Sequence, residues 1–159
     1  MDKLLHLLES DCTLTRKQLA AMTGTTEEKV EAAIRQYEKD NIILGYKAII
    51  NWDEVDREDV TALIEVKVEP QRGDGFARVA ERIYQYEEVE DCYLMSGDFD
   101  MTVVVNGRTL NEVANFVSTK LSTIEAVKST ATHFILKKYK TNHLIHKKKA
   151  EKQEGFYFV

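Results

Sequence analysis

The chain has 159 residues, 43% of them hydrophobic and 31% charged, which suffices for one ordinary domain or two small ones. Its net charge of −5 is uneven: 7 Lys/Arg face 8 Asp/Glu over residues 1–52, 8 face 17 over 53–136, and 7 face 2 over 137–159. No run of about 18 apolar residues offers a membrane span, the acidic start is unlike a secretory signal, and the isolated Cys12 and Cys92 read as reduced thiols, so a cytoplasmic protein is expected.

Leu4, Leu5 and Leu8 open the chain with an apolar stripe at helical spacing. Thr15 can cap a second, short helix with Leu19 and Ala20 inward, and Gly24 breaks it. Thr25 with Glu28 reads as a capping box. The helix it opens turns Val30, Ala33, Ile34 and Tyr37 inward and ends near Asp40-Asn41. Residues 42–50, rich in β-branched side chains, read as a strand or wing, and the charged run 51–59 reads as a linker.

From residue 60 the period changes to two. Val60, Ala62, Ile64, Val66 and Val68 form one face of a strand that Pro70 and Gly73 end. Phe76, Val79, Ala80 and Ile83 make a helix face. A strand over 92–95, the turn 96–100 and a strand over 101–105 follow. Leu110, Val113, Ala114, Val117 and Leu121 make a second helix face, and residues 127–139 read as a long last strand. The order β-α-β-β-α-β is the ferredoxin-like motif. The expected fold is therefore α+β. A winged helix-turn-helix occupies residues 1–50, a linker 51–59, the ferredoxin-like domain 60–140, and a basic tail 141–159. Two helices leave one sheet face uncovered, and a second copy of the chain is expected to cover it.

The head carries the strongest motif. Ala20 allows close helix approach, Gly24 permits the tight turn, and Val30 anchors the second helix. In a helix-turn-helix that second helix enters the major groove of duplex DNA. Arg16, Lys17, Lys29, Arg35 and Lys39 are the candidate phosphate or base contacts, and Thr26 faces outward with them. With few cations per head, two heads must act on one DNA. A plain three-helix bundle that binds nothing is the alternative.

In the second domain, Asp98 and Asp100 beside Gly97 could hold the amino group of a small ligand, or could simply satisfy the backbone of their own turn. The acidic spacing does not suit calcium. His143 and His146, three residues apart among lysines, read as a solvated basic tail. Neither a metal nor a cofactor is expected, and no nucleophile–base pairing points to catalysis.

The layout resembles the Lrp/AsnC ("feast/famine") family of transcription regulators. The resemblance rests on Leu4-Leu5, Lys17 to Ala20, Gly24, Val30, Ile34, Ile43-Leu44-Gly45-Tyr46, Glu65 to Val68, Ser96-Gly97-Asp98-Phe99-Asp100, and the stretch from Ala126 to Thr132. It implies an ACT-like second domain that dimerises through its sheet, dimers that join into octamers, and no enzymatic activity. It further implies an amino-acid or similar effector bound near Ser96, Gly97, Asp98, Asp100, Thr130 and Thr132, and DNA contacts drawn from residues 25–35, Thr25 included. Two other readings use the same scaffold. One is a sensor that does not bind DNA, motivated by the acidic reader helix with Glu27, Glu28 and Glu31. The other is an enzyme similar to the siroheme decarboxylases, for which His133, Tyr93 and Arg108 are the candidates.

Overall fold

The computed structural model describes residues 3–55, 59–69 and 75–146. The chain divides into two compact units, Met1–Ile49 and Ile50–Val159. Among the described residues no helix is long and apolar enough to cross a membrane.

The first unit is three helices, α1 (Lys3–Ser10), α2 (Arg16–Thr23) and α3 (Glu27–Lys39). Their core is Leu4, Leu8, Leu19, Ala20, Val30 and Ile34, with Ala33 and Tyr37 packed against it. Thr15 caps α2 as expected, in a reciprocal box with Gln18. Gly24 ends α2 at φ 72°, in the left-handed region that favours glycine.

The cap of α3 differs from expectation. Thr25 donates its backbone N–H to Ala20 O at 3.0 Å, which closes the C-terminus of α2. The new helix therefore begins one residue later, and Thr26, not Thr25, is its N-cap, accepting from the Lys29 N–H. No strand forms over residues 42–50. The Ile42 and Ile43 N–H groups both donate to Tyr37 O, and the Tyr46 hydroxyl donates to Glu38 at 3.0 Å. These bonds tie the segment to α3 and supply no ladder.

The second unit is a four-stranded antiparallel sheet in the order β2-β3-β1-β4, built from β1 (Val60–Val68), β2 (Val89–Leu94), β3 (Met101–Gly107) and β4 (Val127–Phe134). Helices α4 (Ala77–Tyr84) and α5 (Leu110–Phe116) give the ferredoxin-like order. The alternation read in β1 holds from Ala62 to Val68; at the start of the strand Val60 is only half-buried, and Thr61 is buried with its hydroxyl donating to Asn106 Oδ1. Ala62, Ile64, Val66 and Val68 are buried with Met101, Val103 and Val105 under Val79, Ile83, Val113 and Phe116. The other sheet face carries Leu63, Glu65, Thr102, Val104, Ala131 and His133, all exposed or half-buried.

Three expectations shift here. The face of α5 was read as including Leu110 and Ala114, but both are exposed. A π-helical turn, Val117–Leu121, follows α5, so the Ser122 N–H reaches Val117 O. Its wider step brings Leu121 under Phe116 and turns Ile124 inward. Strand β2 begins at Val89, not Cys92, because pairing with β3 holds the polar Glu90 and Asp91 in the ladder, Glu90 at a bulge. Strand β4 ends at Phe134, not Tyr139. Beyond it, Lys140–Thr141 (β5) and Leu144–Ile145 (β6) pair as a separate hairpin. The β1–β4 pairing carries its own bulge. Val68 faces Val127 but Lys67 faces Ser129, so Lys128 is an extra residue.

Residues 51–55, read as linker, contain a 3-10 turn at Trp52–Glu54, and residues 56–58 lie outside the described residues. The His146 ring sits between Asn51 Oδ1 at 3.0 Å and Thr141 Oγ1 at 2.9 Å. It is thus part of the second unit's structure and not a free side chain of a tail. Pro70 and Gly73, expected to end the first strand, and the tail from 147 on lie outside the described residues.

Candidate functional site

The helix-turn-helix is positioned by two caps and one turn. Gly24 and Thr26 set where α2 stops and α3 starts, and Ala20 and Val30 are buried between the helices. Outside that packing, Thr26, Lys29, Arg35 and Lys39 are exposed on α3, and Lys17 is exposed at the start of α2. Arg16 is half-buried. Its Nε donates to Glu31 Oε2 at 2.6 Å, while Arg35 Nε donates to Glu31 Oε1 at 3.0 Å. One carboxylate thus joins two of the expected DNA contacts, from different helices. Its pKa is lowered, chiefly by the hydrogen bond from Arg16 and then by that from Arg35, so it stays ionised. The i,i+4 spacing of Glu31 and Arg35 was visible in the sequence. The partnership with Arg16, 15 residues away, was not, because it requires α2 to pack on α3.

In the second unit the turn between β2 and β3 meets the end of β1. Asp100 Oδ2 accepts from the Val68 N–H at 2.7 Å, its own N–H donates to Val66 O at 3.1 Å, and Met95 N–H donates to Asp100 O at 2.8 Å. Asp100 therefore holds the turn against the end of β1; its carboxylate serves the backbone of that strand and not, as weighed from the sequence, that of its own turn. Lys67 Nζ donates to Asp98 O at 2.9 Å. The Asp98 carboxylate has no partner among the described residues, and Ser96, Gly97 and Asp98 are exposed. Gly97 has φ 148°, with open space where a Cβ would stand.

Thr130 and Thr132 pair with Val66 and Ile64 and so share the helix-covered face, half-buried at the outer strand. They lie toward the same end of the sheet as the 96–100 turn, but no hydrogen bond joins them to it. Lys128 pairs with Glu69 at 2.6 Å at that end. On the open face, His133 Nε2 lies 3.5 Å from Glu65 Oε1. Tyr93 shares that face but pairs with Thr102, and the Arg108 N–H donates to Glu112 in the loop before α5. The three candidates for tetrapyrrole chemistry are thus not gathered into one pocket.

One further polar cluster escaped the sequence reading. Lys120, on the π turn, is hydrogen-bonded to Glu88 and lies 5.4 Å from the centre of the Tyr86 ring. Its partner's pKa is lowered by that hydrogen bond. Among the described residues no group of three or more His, Cys, Asp or Glu is placed to hold a metal.

Comparison with known proteins places this geometry. Residues 61–145 match the family described as the Lrp/AsnC ligand binding domain. The chain is 49% identical over 139 residues to the HTH-type transcriptional regulator YugG of Bacillus subtilis, covering 87% of this chain and 84% of that protein. It is 25% identical over 144 residues to the leucine-responsive regulatory protein of Haemophilus influenzae, covering 90% and 86%. Among solved structures, the transcriptional regulator NMB0573 of Neisseria meningitidis, in complex with L-Met, has a similar fold. Its TM-score is 0.69 at 22% identity, over 89% of this chain and 93% of that one.

Proposed function

The chain belongs to the Lrp/AsnC family, and from that premise we propose that it is a sequence-specific DNA-binding transcription regulator whose assembly or DNA binding responds to an amino acid or a related small molecule. The observation that carries the reading is the tightly turned α2–α3 pair, closed by Gly24 and Thr26, with Lys17, Thr26, Lys29, Arg35 and Lys39 exposed around it. In this reading α3 enters the major groove. Arg16 and Lys17 approach phosphates from the start of α2, and Thr25 flanks the turn. Residues 1–50 read DNA, 51–59 connect, and 60–140 sense and dimerise.

The open sheet face with Leu63, Tyr93 and Val104 packs on a second copy, and dimers join further into octamers. A free Asp98 carboxylate accepts the ammonium of the effector, Ser96 and Gly97 line it, and Thr130 and Thr132 border the site. Asp100 acts through the turn, by holding it on Val68. The L-Met bound by the Neisseria relative makes methionine the first effector to try.

The test is selection of fragments from the source genome by the purified protein at low salt. It continues with a salt titration of enriched fragments, with and without an amino-acid panel. Discrete sites are expected, with log affinity falling against log salt by about 0.9 unit per phosphate neutralised. Enrichment no better than random DNA would replace this reading with that of a sensor without DNA contact.

A further inference from the structure

Glu31 stands in the second turn of α3 and takes both arginines that the proposed DNA reading needs at the α2–α3 junction. Each arginine reaches it through Nε, the inner edge of the guanidinium. Among the described residues the terminal Nη groups of both arginines make no hydrogen bond, so their outer edges remain open. A carboxylate has two oxygens, and here each holds one guanidinium. The two guanidiniums are therefore tied to one carboxylate, each through Nε and each with its terminal edge unbonded, the edge that suits a phosphate or a guanine.

The charge works in the opposite sense. Helix α3 carries Glu27, Glu28, Glu31 and Glu38 against Lys29, Arg35 and Lys39. A phosphate approaching the arginines meets the Glu31 charge just behind them. Indiscriminate attraction to phosphate depends on the number of free cations. Discrimination depends on whether the side chains are already oriented. One residue that lowers the first while supplying the second raises the ratio between them.

We propose that Glu31 is a specificity-determining residue: it aligns Arg16 and Arg35 as a pair and suppresses their binding to DNA of arbitrary sequence. The inference rests on the DNA-contact reading above, and its test separates the two. Glu31→Gln removes the charge without touching the buried Val30 or Ile34, and thermal unfolding verifies that the head remains folded. Affinity for a random-sequence duplex and for the most enriched genomic duplex is measured across a salt series in the full chain.

Glu31→Gln is expected to bind the random duplex about tenfold more tightly at low salt, with a salt slope steeper by about one unit. Its preference for the enriched duplex should fall several-fold. In a chain that also carries Arg16→Ala and Arg35→Ala, the same Glu31→Gln change should have little effect, since the coupling runs through those arginines. An unchanged slope and preference in Glu31→Gln would overturn the proposal, as would an equal effect with the arginines gone, which would indicate plain charge repulsion. If Arg16→Ala and Arg35→Ala weaken DNA binding while Glu31→Gln changes nothing, the contact reading stands and the role of Glu31 falls. If all three behave as the parent protein, both fall.

Discussion

The two units are held together on different length scales. In the head, each boundary is fixed by a residue a few positions away: Thr15 by Gln18, Gly24 by Ala20, Thr26 by Lys29. In the sheet unit, the decisive partners are remote. Val66 lies between Met101 and Thr130, and Asp100 anchors its turn on Val68. Among the described residues the cores differ accordingly, with six buried apolar side chains in the head and thirteen in the sheet unit. A small core makes local chemistry a large share of the head's stability, whereas the sheet unit depends on register.

The largest effects should come from truncating each core. Ile34→Ala and Ile64→Ala both remove fully buried side chains and should each cost about 2–5 kcal/mol. Denaturant unfolding followed by helical circular dichroism and by sheet-unit fluorescence measures both. If the comparison holds, the same loss leaves the head largely unfolded at ambient temperature while the sheet unit persists. Equal tolerance in the two units would break it.

Gly24→Ala places a Cβ at φ 72° and should cost about 1–2 kcal/mol, read as a lower melting temperature together with weakened DNA binding. At the next boundary, Thr26→Ala should cost about 1 kcal/mol and Thr25→Ala distinctly less, since only Thr26 caps α3. The reverse order in thermal melts would restore the sequence-based assignment.

In the sheet unit, Asp100→Ala leaves the Val68 N–H without its acceptor and should cost about 1–3 kcal/mol. Asp98→Asn should leave the melting temperature unchanged but abolish any stabilisation by the effector. A methionine-containing amino-acid panel in thermal shift separates the two aspartates.

The smallest effect concerns acid. The folded-state pKa of Glu31 is depressed by Arg16 and Arg35, so its contribution is present above the ordinary glutamate range and lost as pH falls through the depressed value. The stability difference between the parent and Glu31→Gln should therefore shrink on acidification below that range. A difference that persists to lower pH would mean that the carboxylate's ionisation does not matter to the head.

Much of this was legible from spacing. The alternation in β1, the inward face of α3 and the glycine stop at Gly24 follow from side-chain periodicity and backbone sterics, which act within one element. The failures share a cause in partners from elsewhere. Glu90 and Asp91 have little strand preference of their own, yet the ladder with β3 holds them. Ile135 to Tyr139 look like a strand, yet β4 stops at Phe134. The face of α5 was misread because a π turn is not announced by apolar spacing. At the site, candidate cations could be chosen by type, but the carboxylate that joins Arg16 to Arg35 became visible only once the helices were packed.

The bulge at Lys128 bears on how this sheet tolerates changes in chain length. A strand with one buried face cannot ordinarily lose a residue, because every side chain beyond the loss would exchange core for solvent. Here Val68 already faces Val127 and Lys67 already faces Ser129, so Lys128 is the one supernumerary position between them. Deleting it would leave a regular ladder, keep Thr130 and Thr132 inward, and forfeit only its pairing with Glu69. Deletion at Ala131 would instead turn the remainder of the strand inside out. Position 128 is thus where β4 can be shortened without rewriting its two faces.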